Sequence, residues 1–319
     1  MLRRLAPLAV VLVLLGATAA AFGITERLKL ERAPIGAPDI TEIFSPVSEG
    51  DTAQATIAFR LREAGRVSVS IVDSDGDVVR QLVNRQRAPA GGRVVTTWDG
   101  RDGDGGIVPE GVYRPRLRLT RDRRELILPN TIRVDTTAPA ITLVSAAPRT
   151  FSPDGDGRND RVEVRYRVSE KANAMLLVNG VRRVRTRFRP TEGVLPWFGK
   201  VGGRSQRAGR YRLQLSAEDP AGNLATPTKP AVVRIRYIEL ARPTIRARAR
   251  TRFGVRVTTD AARFTWRFAG ATGRARPGLL VLRAPRKAGS YRLFVEANGH
   301  GAKARVVVTP RPQPRRPGS

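Results

Sequence analysis

Trp98-Asp99-Gly100-Arg101-Asp102-Gly103-Asp104-Gly105-Gly106-Ile107-Val108-Pro109-Glu110-Gly111-Val112-Tyr113-Arg114, continuing through Leu119, is the stretch whose reading decides the fold. Trp98 closes one run of alternating apolar residues, and a loop dense in Gly and Asp follows. Gly111 then opens a second run, in which Tyr113, Pro115, Leu117 and Leu119 alternate with Val112, Arg114, Arg116 and Arg118. A period of two with one apolar face marks a strand that covers a core from one side. The loop supplies the positive-φ positions that a strand-to-strand connection needs. The same Gly-x-Tyr-Arg opening returns at Gly209–Arg212 and at Gly289–Arg292.

Upstream, Ile57, Phe59 and Leu61 alternate, as do Val67, Val69 and Ile71. Val78–Val83 and Arg93–Trp98 read as further strands. Turns are expected at Glu63–Gly65, Asp73–Asp77 and Ala90–Gly92. Short alternating strands with turn signals at this spacing predict an antiparallel sandwich. Downstream the plan repeats. Phe151-Ser152-Pro153 echoes Phe44-Ser45-Pro46, Val162 to Val168 alternate, and Asn179-Gly180 is a hairpin turn. Trp197 and Gly199 answer Trp98 and Gly100. Landmarks matched about 100 residues apart indicate a duplicated domain. A third, more diverged unit alternates through Phe253–Val257, Phe264–Phe268 and Tyr291–Ala297, without a Phe-Ser-Pro corner. The expected boundaries are 40–135, 139–238 and 241–309, with Glu31–Asp39 as a linker and 310–319 as a disordered basic tail.

The 58 basic and 28 acidic residues give a net charge of +30. From Ala241 to Ser319 there are 19 basic residues and two acidic ones, so more than half of that charge sits in the last quarter of the chain. Such a balance suits an anionic polymer or lipid surface, and arginine-rich coding bias explains it too. The chain has no cysteine, so disulfides, thiol catalysis and cysteine-ligated metals are excluded. Its one histidine, His300, lies in a turn-like Asn-Gly-His-Gly and reads as solvated, which leaves no basis for a histidine-dependent triad.

Arg3 and Arg4 precede an apolar run from Leu5 to Gly23. Basic residues followed by such a run mark export across a membrane. Residues 1–24 therefore read as a signal peptide, with Ala19–Ala21 as the small residues before a cut, or as a retained membrane anchor. Either way the bulk of the chain is expected outside the cytoplasm, anchored or secreted.

Several motifs together resemble a known family: Arg62-Glu63-Ala64-Gly65-Arg66-Val67, Ile71-Val72-Asp73 with Gly76, Val79-Arg80-Gln81-Leu82, Thr97 to Asp102, and Val108-Pro109-Glu110-Gly111-Val112-Tyr113. This set is similar to the Ig-like domain of flagellar hook-capping (FlgD-type) proteins, also found at the ends of secreted Vpr-type subtilases. In the second unit Phe151–Asp160 and Trp197–Leu215 carry the likeness. The third unit resembles a generic bacterial Ig-like domain. The resemblance implies an all-β fold of tandem immunoglobulin-like antiparallel sandwiches, here preceded by one N-terminal hydrophobic helix. It also implies an accessory or adhesive role and no catalytic residues. A hook-capping protein has no hydrophobic leader, so the expectation here is an envelope module and not a hook cap.

One acidic string invites a metal. Asp154, Asp156 and Asp160 form Asp-x-Asp-Gly-x-x-Asp, and oxygen ligands around a glycine turn are what calcium takes. The twelfth position of an EF-hand would be Arg165 where a glutamate is needed, so an Asx-rich turn competes with the calcium reading. The Asp73/Asp75/Asp77 and Asp99/Asp102/Asp104 groups read as turn formers. The expected function is that of an exported, non-enzymatic structural or adhesion module of the cell envelope, without a cofactor unless calcium binds. The alternative is a binder of anionic cell-wall polymer or lipid headgroups through the basic third unit and tail. Nucleic acid is not an expected partner, because the few aromatics fall on inward positions.

Overall fold

In β7 (Gly111–Leu119) Tyr113, Pro115, Leu117 and Leu119 are buried, while Val112, Arg114 and Arg118 face solvent. The alternation read in the sequence is thus the alternation of the sheet. The computed structural model describes residues 14–18, 34–120 and 124–310, and these form an all-β chain of sandwiches. It divides into two compact units, 1–136 and 137–319, the second of which holds two sandwiches.

The first sandwich is built from β1 (Ile35–Ile40), β2 (Ile43–Phe44), β3 (Ala55–Leu61), β4 (Gly65–Val72), β5 (Val78–Ala88), β6 (Arg93–Trp98), β7, β8 (Arg124–Ile127) and β9 (Ile132–Val134). One sheet runs β1-β3-β6 and the other β2-β9-β7-β4-β5, with β8 and β9 sharing one edge of β7. The two-residue β2 pairs parallel to β9, and the other pairings are antiparallel. The core between the sheets holds Phe44, Ile57, Phe59, Val69, Ile71, Trp98 and Leu117. With no cysteine in the chain, burial of such side chains, each worth about 1.5–3 kcal/mol, is the main cohesion.

Two expectations need correction. Glu31–Asp39 is not simply a linker, since β1 begins at Ile35, which is buried on β3. Pro38 is tolerated because β1 is an edge strand whose register shifts between Gly36 and Asp39. The strand expected over Val78–Val83 continues to Ala88. Arg85, at φ 50, takes up a bulge there and donates its backbone N–H to Ser68 Oγ at 2.9 Å.

The second sandwich comprises β10 (Ile141–Ala147), β11 (Thr150–Phe151), β12 (Val162–Val168), β13 (Asn173–Val178), β14 (Val181–Arg185), β15 (Glu192–Trp197), the small hairpin β16 (Lys200–Val201) and β17 (Arg204–Ser205), β18 (Gly209–Glu218) and β19 (Ala231–Ile235). Its sheets run β10-β12-β15 and β11-β19-β18-β13-β14, again with the two-residue strand parallel to the last one. Asn179 and Gly180, at φ 52 and 82, make the expected hairpin between β13 and β14.

The third sandwich comprises β20 (Ile238–Leu240), β21 (Thr244–Arg248), β22 (Arg252–Thr259), β23 (Phe264–Phe268), β24 (Ala271–Ala275), β25 (Gly278–Arg283), β26 (Gly289–Ala297) and β27 (His300–Thr309). The order β20-β22-β25 over β21-β27-β26-β23-β24 is the same plan a third time, with β21 lengthened and parallel to β27. Each sandwich has its own core cluster.

Of the N-terminal hydrophobic segment, only the helical residues 14–18 are described. Among the described residues no helix is long and apolar enough to cross a membrane. The rest of the signal or anchor expected over 1–24, and the basic tail beyond Pro310, lie outside the described residues.

Candidate functional site

The Phe-Ser-Pro corners fold the same way in both sandwiches that have them. Phe44 and Phe151 end a two-residue strand, and the proline that follows prevents its continuation. Each phenylalanine meets a tryptophan edge to face, Phe44–Trp98 at 5.4 Å and Phe151–Trp197 at 5.5 Å. Each tryptophan meets a tyrosine in turn, Trp98–Tyr113 at 5.1 Å and Trp197–Tyr211 at 5.2 Å. The indole N–H groups donate to Arg101 O and Lys200 O. Beside each column the proline lies against a positive-φ glycine. A Cβ on Gly100 would sit 2.8 Å from Pro46, and one on Gly199 would sit 2.6 Å from Pro153. Repetition of Gly-x-Tyr has a geometric cause that the sequence reading missed. The hydroxyls of Tyr113, Tyr211 and Tyr291 donate to the carbonyl four residues upstream, Pro109, Arg207 and Lys287, at 2.7–2.8 Å. The recurrent Tyr, two residues after Gly, was the available signal. Burial raises the pKa of Tyr113 and Tyr211 above the ordinary phenol value, and Asp73 adds to the rise at Tyr113.

The turn-forming acids of the first sandwich work locally. Asp73 Oδ1 accepts the N–H groups of Asp75 and Asp77, Asp99 Oδ1 accepts Arg101, and Asp102 Oδ1 accepts Asp104 and Gly106. These are Asx turns.

In the second sandwich the acidic string does more. Carboxylate oxygens of Asp154, Asp156 and Asp160 lie within 4.8 Å of one another. Asp160 accepts the N–H groups of Gly155 and Gly157, and Asp156 accepts Arg158 N–H. Ser152 Oγ bonds Asp154 Oδ2 at 3.0 Å. Donors of the loop itself thus hold the three carboxylates in place, and each oxygen keeps a lone pair that a cation could take.

The next sandwich also enters this site. Asn298, at φ 47 in the β26–β27 turn, donates its amide to Asp156 Oδ2 at 3.0 Å and to Asp154 Oδ2 at 3.2 Å. Asp260, just after β22, faces the same loop. Its Oδ1 and that of Asp154 are buried without a hydrogen-bond partner. Burial first, then the charges of Asp154 and Asp156, raise the Asp260 pKa above its ordinary 3.8. Beside this cluster His300 stacks on Tyr237, centroids 3.5 Å apart and rings 6° from parallel. This corrects the expectation of a solvated histidine, because the turn presents its ring to a buried tyrosine. Tyr237 donates its hydroxyl to Gln206 O at 2.6 Å, and Thr259 Oγ1 donates to Tyr237 O at 2.7 Å. Arg234 and Glu239 pair at 2.8 Å. The loop read as an Asx-rich turn or a calcium site also seats the third sandwich, through the Asn298 amide.

The strand arginines differ between regions. Several in the first two sandwiches pair with acids: Arg116–Glu125 at 3.1 Å, Arg161–Glu163 at 2.9 Å, Arg167–Glu192 at 3.9 Å and Arg185–Glu218 at 3.0 Å. Among the described residues of 241–309 no ion pair forms, and the acids there are Asp260 and Glu296 alone.

No curated protein matches the chain. Among solved structures, the fibronectin(III)-like modules of Clostridium thermocellum CbhA are similar at 16% identity over 63% of this chain and 91% of theirs, with a TM-score of 0.34. An I-band fragment of titin is similar at 11% identity over 88% of this chain and 100% of its own, TM-score 0.31. FlgD from P. aeruginosa is similar at 22% identity over 37% of this chain and 84% of its own, TM-score 0.23. Residues 45–122, which run from the first Phe-Ser-Pro corner past the end of β7, match the profile of the FlgD Ig-like domain family, so the first sandwich is similar to the Ig-like domain of FlgD.

Proposed function

We propose that this chain is an exported, non-enzymatic scaffold of the cell envelope, held at the membrane by its N-terminal segment or released by cleavage there, and that its sandwiches serve as spacers and docking modules. One observation carries the reading. The one histidine and the clustered Asp154, Asp156 and Asp160 hold a turn and seat one sandwich against the next. General acid–base or nucleophilic catalysis needs such groups converging on an open cleft. FlgD-type and other Ig-like modules are a structural and binding class, which fits this use.

The absence of cysteine makes export directly testable. A single Thr272→Cys variant, placed in the exposed β23–β24 hairpin, gives one thiol in the whole chain. It should react with a membrane-impermeant maleimide in intact spheroplasts. Labelling only after lysis would overturn export, and N-terminal sequencing of the recovered protein separates anchor from cleaved signal.

A second reading is favoured by the unpaired arginines of 241–309: the basic third sandwich and the tail bind anionic envelope polymer or lipid headgroups.

A further inference from the structure

We infer that the outer face of the β21-β27-β26-β23-β24 sheet is a binding surface for a linear polyanion with non-aromatic repeats, for which poly(glycerol phosphate) is the probe. The inference deepens the second reading above by assigning it to one face and to an extended anionic chain. Outward positions of this sheet carry Arg246, Arg305, Arg292, Lys303, Arg267 and Arg274, all exposed. The register sets them in rows. Arg292 lies directly opposite Arg305, and Lys303, Phe294 and Arg267 stand side by side across β27, β26 and β23. Neighbours across strands are spaced about 4.8 Å apart and alternate residues along a strand about 6.7 Å. Like charges directly opposed destabilise a sheet. Here Arg305 donates to Ser290 Oγ and Arg267 caps the Phe294 ring at 5.6 Å, yet neither has a carboxylate partner. The single acid of the face, Glu296, stands opposite Gly301 and Thr265. A ligand that brings repeating negative charge removes the self-repulsion along the whole row.

The shape selects among polyanions. The face is an open sheet with a shallow depression of about 350 Å³ bordered by Arg267, Phe294, Glu296 and Lys303, where Gly301 contributes no side chain. It holds an extended chain and does not enclose a small ion. One exposed aromatic, already capped by an arginine, is no stacking platform for nucleobases. Bilayer binding also draws on buried apolar area, of which this face offers little beyond Phe294. The opposite sheet serves as an internal control, because Arg252, Arg256 and Arg283 lie on its outer face with Leu279 and Val281.

The test uses the full chain in neutral detergent micelles with purified poly(glycerol phosphate) as the probe. Binding should weaken steeply with salt. The variant R267Q/R292Q/R305Q should lose about tenfold or more at low salt, and its log–log salt slope should shrink by about 2. The variant R252Q/R256Q/R283Q, which removes the same charge, should bind almost as well as the parent. All six positions are exposed, so circular dichroism melts should show both variants folded, and R267K/R292K/R305K should keep the binding. No binding at low salt, or equal loss in both glutamine variants, overturns the assignment. Displacement of the polymer by phosphatidylglycerol mixed into the micelles would move the face to lipid headgroups and overturn it. Tighter binding of a single-stranded homopolymeric DNA at equal phosphate would likewise overturn it. Failed thiol labelling would remove export and leave this result standing, and failed binding would leave export standing.

Discussion

The first two sandwiches and the third share one strand order and differ in how they finish it. In the first two, a Phe–Trp–Tyr column closes one end of the core, and a Phe-Ser-Pro corner rests on a positive-φ glycine. In the third, Phe253, Phe268 and Tyr291 make a looser column at 5.4 and 6.2 Å, and the parallel strand β21 has five residues in place of two. A longer backbone ladder stands where the other two use a proline corner. The sheet order therefore needs a plugged end and a parallel first strand, and not those particular residues. Surface charge differs as well. Arginines paired with acids cost little, whereas in the third sandwich Arg292 stands opposite Arg305 with no acid to offset the repulsion.

Three measurements would break or sharpen that contrast. The largest effect is expected at the columns. Trp197→Ala should cost about 3–5 kcal/mol by calorimetry of the whole chain. Phe268→Ala should approach that figure, and a loss well under 1 kcal/mol would show that the third core is not organised around its rings. Next come the corner glycines. Gly199→Ala would force a left-handed φ of 61 on alanine and press its Cβ onto Pro153. It should cost about 1–3 kcal/mol, with Gly100→Ala matching it. If both were silent, the corners would be ornament and the first two sandwiches no more constrained than the third.

The smallest effect concerns the seat. Because burial and its acidic neighbours raise its pKa, Asp260 holds its proton more tightly in the folded chain than in the unfolded one. Its ionisation thus costs stability as pH rises from about 3.8 through the raised value, and the cost is complete above it. Asp260→Asn should melt above the parent at neutral pH, with the gap closing as pH falls towards 3.8. A gap independent of pH would assign the effect to packing alone.

Much of this was legible in the residues. Period-two runs such as Tyr113–Leu119 and the Asn179-Gly180 pair named strands and turn directly, because burial on one face and positive φ leave local marks. Pro38 misled, since an edge strand accepts a proline that a linker would also carry. The seat was invisible in principle. Asn298 lies 142 residues from Asp156, and His300 lies far from Tyr237, so only the folded chain brings them together. The Asp-x-Asp-Gly string marks a turn or a calcium loop locally, and the Asn298 contact to it is encoded by no local pattern.

Only Arg236 and Tyr237 separate β19 from β20. A connection that short has no slack to take up. Tension applied through the chain would reach the His300–Tyr237 stack and the Asn298 amide before either sandwich could swivel. The second compact unit should therefore resist stretching as one piece until those contacts give way.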